Sequence, residues 1–297
     1  MQEEQQILDR MRDILDNGDK RGDRTGTGTL SLFSPGDLSF SLKDESFPLL
    51  TTRPMPLKLI FEELIWFLRG QTDVSILREK KVHVWDANTS REFLDGRGLQ
   101  HYPEWDLGPS YSFQFRHFGA EYKDCKQSYV GQGFDQLKYV IELLKHNPES
   151  RRIMINLWNA SDLDKMSLVP CGFCYQFYVT SAGGLITKVT QRSSDIALAG
   201  GWNIASASLF TVMLASVSGL RPEKVIWSTG DTHIYLNQVD GAIEQCSRKC
   251  DRPFPKLVLK EGAPSLANGR DITEFEFSDF ELLDYTPQKR IKFAMNA

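Results

Sequence analysis

Apolar residues recur at helical spacing near the start of the chain. Ile7, Leu8, Met11, Ile14 and Leu15 fall on one face of residues 3–17, which predicts an amphipathic helix. The turn-rich stretch NGDKRGDRTGTGTLSLF follows and enters a strand rich in Thr and Leu. Pro54 and Pro56 open a second helix, LKLIFEELIWFLRG, which Gly70 closes. Leu57, Ile60, Leu64, Phe67 and Leu68 form its apolar face, and Glu63 lies on or beside that face. Residues 83–133 mix aromatics, Gly, Asp and Pro with little periodicity and read as a long irregular region, a kind of segment that is often functional. Beyond it, FDQLKYVIELLKHNP (134–148) predicts a helix. RRIMINLW (151–158), CYQFYVTS (174–181) and GLITKVTQR (184–192) predict strands, with Gly183–Gly184 as a turn. NIASASLFTVMLASVSGL (203–220) is apolar nearly all round, the signature of a central buried helix, and HIYLNQVDGAIEQCS is a further helix candidate. The tail from 251 carries Pro-containing loops and short alternating strands. No repeat, heptad run or linker divides the chain, so 1–297 reads as one α+β domain.

Composition adds bounds. With 297 residues, 41% hydrophobic and 25% charged, the chain can bury a sizeable core. A net charge of −4 argues against a general nucleic-acid binder that works by neutralising phosphates, while leaving room for local basic pockets. The N-terminus is charged and amphipathic, and no run reaches about eighteen uncharged apolar residues. The expectation is a soluble cytoplasmic protein, or one of the host cytoplasm if viral, with no membrane and no nucleic acid required. Five cysteines, odd in number and scattered, do not form a secreted disulfide framework.

Several residues can carry chemistry. Arg24, Arg151, Arg152 and Arg192 each adjoin an element boundary, and Ser193 follows Arg192. Guanidinium forks match phosphate oxygens two bonds at a time, although each arginine taken singly is better read as a surface pair. RTGTGT lacks the Lys-Ser/Thr ending of a P-loop and the third glycine of a dinucleotide fingerprint. Cys171 and Cys174 have redox spacing, but no second C-x-x-C or His pair completes a metal site, and on a strand the two face opposite sides. On spacing alone they are two small core residues. A nucleophilic Cys171 needs a nearby cation, and Arg192 supplies one if 174–181 and 184–192 form a hairpin. His233 and Tyr235 offer two polar tips that can bind a sugar hydroxyl, or they belong to a turn capped by Asp231 or Thr232.

Taken in order, DRTGTGTLSLF, FPLLTT, EELIWFLRG, VWDANTSREFLDGRG, DLGPSYSFQFRHFGAEY, GQGFDQL, NPESRRI, LWNASDL, PCG, QFYV, QRSSD, NIAS, GDTHIYLNQ and RPFPKL resemble the thymidylate synthase family, close to its eukaryotic-type members. The resemblance runs from about residue 20 to the C-terminus. It implies a single-domain fold with a large mixed β-sheet that forms a dimer interface and helices on its other face. It also implies one-carbon transfer from 5,10-methylenetetrahydrofolate to C5 of dUMP, with no metal. By position, Cys171 matches the nucleophile, and Arg24, Arg192 and Ser193 match phosphate ligands. Arg151 and Arg152 match a pair supplied by the partner subunit of an obligate homodimer. Asn203 matches the base reader, Gln191 a nearby base and dimer contact, and His233 and Tyr235 the deoxyribose ligands. Glu63, Tyr111 and Asn159 match the network that moves protons around the pyrimidine. Asp195 matches the pterin ligand, and Trp85 and Asn88 line the reacting folate edge. Trp202 falls on the folate-facing wall, and the tail KFAMNA, ending at Ala297, matches the closing segment. An Asn amide can donate to O4 and accept from N3–H of uracil, a pattern that cytosine reverses, and built polar sites reject such mismatches by about 10⁴-fold.

The chain departs from the family pattern near the base and the folate-facing wall. Gly172 stands where the family usually has His, Val169 replaces the first residue of a Pro-Pro pair, and Thr190 replaces Tyr. Ala199, Gly200, Gly201 and Trp202 stand in a loop that usually reads Gly-x-Pro-Phe, Phe115 replaces Trp, and Ala297 ends the chain where Val is common. Reductive methylation to dTMP leads. The alternative is water addition giving 5-hydroxymethyl-dUMP, because smaller side chains at 172 and 190 make room for solvent. Trp85, an apolar shield, favours methylation. A non-catalytic nucleotide-binding homologue is the reading from another class, and the joint presence of Cys171, Glu63, Tyr111 and Asn203 speaks against it.

Overall fold

The structure, a computed structural model, describes residues 3–296. Helix α1 (Gln5–Asn17) forms where its apolar spacing places it and buries Ile7, Leu8, Met11 and Ile14. Short strands β1 (Asp19–Arg21), β2 (Thr29–Phe33) and β3 (Leu38–Ser41) follow. Helix α2 (Leu57–Leu68) is buried along most of its length, Glu63 included. Helix α3 (Ser75–Glu79) comes next.

The segment 83–133 is more ordered than its patterning implies. It contains α4 (Asp86–Thr89), α5 (Arg91–Gly96) and α6 (Tyr111–His117). Helices this short complete too few turns to display a 3.6-residue period. Leu94, Leu99, Tyr102, Phe113, Tyr122 and Tyr129 pack into a small core of their own, and aromatic packing rather than periodicity orders the segment. Helix α7 (Gln136–His146) is capped by Asp135, whose side chain accepts the Lys138 N–H.

Then come β4 (Met154–Asn156), β5 (Gly172–Val179), β6 (Gly184–Asp195) and helix α8 (Gly201–Ser218). Gly219, at φ +68°, ends α8 in the left-handed conformation that favours glycine. Strand β7 (Arg221–Tyr235) runs directly into a 3₁₀ turn and α9 (Val239–Ser247), and β8 (Lys256–Leu259) pairs with β9 (Phe280–Leu283). Strand β7 corrects the sequence reading: His233 and Tyr235 end a strand and do not begin a helix. Val225, Trp227 and Thr229 do alternate inward, but Pro222, the charged Glu223 and Lys224, and Gly230 mask that alternation.

The main sheet has seven strands in the order β1-β2-β7-β6-β5-β4, with β3 also on β7. Only β6 and β7 pair in parallel; the other neighbours are antiparallel. Helix α8 covers one face. Its Phe210 is fully buried and meets Phe115, Tyr175 and Phe177 edge-on, at centroid distances of 5.8, 5.7 and 5.9 Å. Segment Ile196–Ser218 is long and apolar enough to cross a membrane by composition, but 72% of its apolar eighteen-residue stretch is buried inside the protein, so its apolarity is that of a core helix. The other sheet face is open. Met154, Gln176 and Tyr178 are exposed there, and a groove of about 900 Å³ runs past Ile186, Lys188 and Arg151.

Phe210→Ala is expected to destabilise the fold by about 3–5 kcal/mol, the cost of an emptied aromatic site in a close-packed core. Urea unfolding followed by tryptophan fluorescence checks this. A loss below about 1 kcal/mol would show that the helix–sheet contact is not the core.

Candidate active site

The hairpin expected from the alternation is present. Gly172 on β5 pairs with Gln191 on β6, with a bulge between Gly172 and Cys174. The register holds Cys171 against Arg192: the Arg192 N–H donates to the Cys171 carbonyl at 2.9 Å, and its guanidinium reaches Cys171 Sγ at 3.9 Å. Two more guanidinium bonds, to the carbonyls of Pro170 (3.0 Å) and Val169 (3.1 Å), fix the cation in place. Gly230 makes this packing feasible, because a Cβ there would stand 2.7 Å from the Arg192 carbonyl oxygen. A fixed cation beside the sulfur stabilises a thiolate as it forms.

Tyr111 approaches from α6. Its hydroxyl accepts the Cys171 N–H at 2.6 Å, and its ring stacks on Phe67 at 5.1 Å and meets Trp85 edge-on at 5.7 Å. Burial, then the neighbouring Cys171 sulfur, holds the Tyr111 phenol well above the usual tyrosine range, so it is neutral and keeps its own proton to donate. Trp85 leads on to Glu63. The Trp85 indole N–H donates to Oε1 of Glu63 at 2.8 Å, and the Trp202 indole N–H donates to Oε2 at 2.6 Å. Glu63 is 7% exposed. Burial pushes its carboxyl up from 4.5 to about 7, against the pull of the two indole donors.

The parallel pairing of β6 with β7 assembles the second half of the site. Ser193 lies beside Asp231, and Asp195 beside His233. His233 Nδ1 lies 2.9 Å from Asp231 Oδ1, a contact that holds the Asp231 carboxyl below the usual range, and the His233 ring meets Tyr235 edge-on at 5.1 Å. Tyr235 pairs with Thr29 of β2, and the Leu236 N–H donates to the Gly28 carbonyl at 3.0 Å, which brings the loop before β2 to the same place. That loop is shaped by Asp23, whose carboxylate accepts the Thr25 and Gly28 N–H groups, leaving Arg24 exposed. Asp195, raised by burial, accepts from the Leu198 N–H (2.9 Å) and from Gln238 Nε2 (2.8 Å). Gln238 also donates to the Ala294 carbonyl, and Asn296 bonds Thr27 and Asn237, so the tail is docked beside the site.

The remaining candidates fall as follows. Gln191 is buried, and its Oε1 accepts from the Trp227 indole at 3.1 Å. Asn203 stands on the first turn of α8, half-buried, and among the described residues its amide carries no hydrogen bond. Asn159 caps a 3₁₀ turn and donates to Asp162 at 2.9 Å; none of its hydrogen bonds reaches Glu63 or Cys171. Arg151 and Arg152 are exposed on the turn before β4, and Arg151 borders the open sheet face rather than the Cys171 cluster. Ala297 lies outside the described residues. Among the described residues, the buried Asn88 Nδ2 has no hydrogen-bond partner. All five cysteines are free, and no group of three or more metal-ligating side chains occurs among the described residues.

Two residues escaped sequence reasoning. Tyr175 is a phenol on β5 that burial and the Glu63 charge push far up. Gln238 joins Asp195 to the tail. Neither stands out by spacing, because both act through partners distant in the chain.

The family model described as thymidylate synthase matches residues 5–297. The thymidylate synthase of Saccharomyces cerevisiae is 47% identical over 302 residues, covering 99% of this chain and 97% of the yeast protein. That of Agaricus bisporus is 46% identical and covers 100% of both chains. That of Human herpesvirus 8 type P is 48% identical, covering 99% of this chain and 84% of the viral one.

With its folded value near 7 and its ordinary value at 4.5, Glu63 takes up a proton on folding between those limits. The stability this contributes is present below about pH 4.5 and is lost as the pH rises through about 7. Infrared titration of the carboxyl band missing from Glu63→Gln is expected to show a midpoint near 7. A midpoint near 4.5 would mean that the carboxyl is hydrated.

Proposed function

We propose, from the premise that the chain belongs to the thymidylate synthase family, that it converts dUMP to dTMP with Cys171 as the covalent nucleophile. Methylenetetrahydrofolate is the co-substrate, supplying the one-carbon unit and then a hydride, and leaves as dihydrofolate. The observation that carries the assignment to Cys171 is the fixed contact between its sulfur and the Arg192 guanidinium at 3.9 Å, at the meeting point of β5, β6 and α6.

The steps follow from that placement. A uracil ring is a poor carbon nucleophile at C5. Addition of the Cys171 sulfur to C6 forms an S–C bond and pushes the C5–C6 π pair toward O4, and C5 then carries the electron density needed to attack. Charge developing at O4 needs donors already in place. The Asn203 amide and water bonded to Glu63 are assigned that work, and the unpartnered state of the Asn203 amide supports it. The C5 proton must then leave. Glu63, near 7, can accept and return protons at neutral pH, and the neutral Tyr111 hydroxyl can pass one on. C5 bonds to the one-carbon unit, and loss of the C5 proton expels the folate amine and leaves an exocyclic methylene. Hydride from the folate adds to that carbon. Collapse of the resulting enolate re-forms the C5–C6 double bond and breaks the S–C6 bond, its pair returning to sulfur.

Binding roles are assigned by position and by shared location. Arg24, Arg192 and Ser193 take the phosphate, His233 and Tyr235 the deoxyribose hydroxyl, and Gln191 flanks the base. Asp195, Asn88 and the Trp85 and Trp202 rings form the folate wall. The tail, docked beside Asp195 through Gln238, fits such a ligand. Asn159 is kept as a more distant member of the polar network, since its amide is already committed to Asp162. We place the enzyme in the cytoplasm, or the host cytoplasm for a viral bearer; its free cysteines fit a reducing compartment.

A homodimer built on the open sheet face accounts for two features at once. That face exposes Met154 and Tyr178 beside an open groove, and Arg151 and Arg152 stand at its margin with no ion pair among the described residues. Pairing two such faces by a twofold axis carries each arginine pair to the neighbouring site, where a dUMP phosphate needs charge.

Incubation with [5-³H]dUMP and methylenetetrahydrofolate is expected to release tritium and form dihydrofolate in equal amounts. Cys171→Ala should lower both by about three orders of magnitude or more. Tritium release without dihydrofolate would identify the hydroxymethyl product, and no release would identify a nucleotide binder. Cys171→Ala and an Arg151→Ala/Arg152→Ala double variant, each inactive alone, are expected to regain about a quarter of wild-type activity when mixed and allowed to exchange subunits, because half the dimers then hold one intact site. No recovery despite demonstrated exchange would place both arginines in their own subunit's chemistry or in none.

A further inference from the structure

Trp202 does more than wall the site. Glu63 comes from the middle of α2, Trp85 precedes α4, and Trp202 opens α8, so three elements far apart in sequence meet at one carboxyl. Each carboxyl oxygen receives one indole: Oε1 from Trp85 at 2.8 Å and Oε2 from Trp202 at 2.6 Å. We propose that Trp202 is a positioning residue for Glu63: its N–H secures the second carboxyl oxygen, fixes the group in one rotamer and favours the ionised form that accepts a proton during turnover.

The chemistry of the donors gives this a direction. An indole N–H donates and cannot accept. A protonated Glu63 must aim its hydroxyl at neither indole, whereas the ionised form is served by both. A buried carboxylate without such donors takes up a proton instead of remaining charged. Trp202 therefore opposes the burial that raises Glu63, and burial wins only as far as about 7. The titratable groups gathered around Glu63 are Tyr175 from β5 and, through Trp85, Tyr111 from α6 with Cys171 beside it. No cationic side chain forms an ion pair with Glu63 among the described residues; the neighbouring Glu62 pairs with Lys80 instead. The two indoles are thus the groups that hold the charge. One lone-pair site on each oxygen stays available for water or substrate, so the clamp orients the carboxylate without blocking it. In the family pattern Phe usually stands at this position, and a phenyl ring has no donor to offer.

The inference rests on the methylation reading only for its kinetic arm, and the experiment separates the two. Wild-type protein labelled with ¹⁵N at the indole nitrogens carries six such signals. Two of them, assigned with Trp85→Phe and Trp202→Phe, are expected to titrate together with one midpoint near 7. In Trp202→Phe, which keeps an aromatic ring, the Glu63 infrared midpoint is expected to rise by about one pH unit, tenfold in proton affinity. With turnover established, kcat at pH 7 should fall by about fivefold, the drop in the ionised fraction that a one-unit rise from about 7 produces, and recover at pH 9, with KM for dUMP within about twofold. A merely structural role predicts a loss that is the same at every pH. An unmoved Glu63 midpoint, or an indole titration confined to Trp85, would overturn the proposal. The labelled wild-type titration requires neither a stable variant nor activity. Absence of wild-type turnover counts against the function proposed above and leaves this test intact.

Discussion

Strands β6 and β7 lie side by side and parallel, so their C-terminal ends emerge together. Residues from Gly184 to Asp195 pair with residues from Arg221 to His233, with one register shift between Leu185 and Ile186. Antiparallel neighbours separate the two strand ends, whereas a parallel pair concentrates them, and loops and side chains at such ends can converge on one ligand. Here that convergence joins Ser193 and Asp195 with Asp231, His233 and Tyr235. The same strand β6 pairs backward with β5, and that hairpin sets Cys171 beside Arg192. One strand therefore serves both halves of the site. Displacing its register by one residue would turn Arg192 to the opposite face of the sheet and dismantle both.

A second constraint is the burial of charge. Glu63 and Asp195 are carboxyls within the protein body, and each has both oxygens occupied by N–H donors. Arg53, also buried, gives its guanidinium to the carbonyls of Ala197 and Leu198, and burial lowers it to about 10. Such groups contribute little net stability, because desolvation offsets most of what their partners return. A core built for stability alone has no use for them. Their grouping around the loop from Asp195 to Trp202 marks where the fold gives up stability for chemistry.

How much of this could be read along the chain depends on the range of the interaction. The helices at 5–17, 57–68 and 136–146 follow from local apolar spacing, the helix at 201–218 from a nearly continuous apolar run, and the β5–β6 hairpin from alternation around a Gly-Gly turn. That hairpin alone was enough to bring Arg192 to Cys171. Strand β7 was hidden because Pro222, Gly230 and its charged residues interrupt the alternation, and because its last residues run straight into a helix. The small core within 83–133 is held by aromatic contacts such as Phe113 with Tyr122 and Tyr129 and Tyr102 with Tyr122, to which a helical period is blind. The bond from Trp202 to Glu63 spans 139 positions. Motif resemblance identified both residues as belonging to the site, but nothing in either motif says that they touch.

The departures from the family pattern are easier to understand as a set than singly. At Gly172 the missing side chain faces Gln191 and Tyr175: a Cβ there would lie 3.4 Å from Gln191 Nε2 and 4.0 Å from the Tyr175 hydroxyl. The space is therefore bordered by two polar groups from β5 and β6, not by an apolar wall. Tyr175 is itself tied to the core through its ring, which meets Phe115 and Phe210. Its hydroxyl end lies within reach of the Glu63 charge. On the opposite side Trp202 brings a donor where a phenyl ring would bring none. The absence of an imidazole next to Cys171 is thus accompanied by a phenol and an indole around the Glu63 carboxylate. The buried titratable carboxyl nearest this space is therefore Glu63, held by its two indole donors, while position 172 itself offers no side chain.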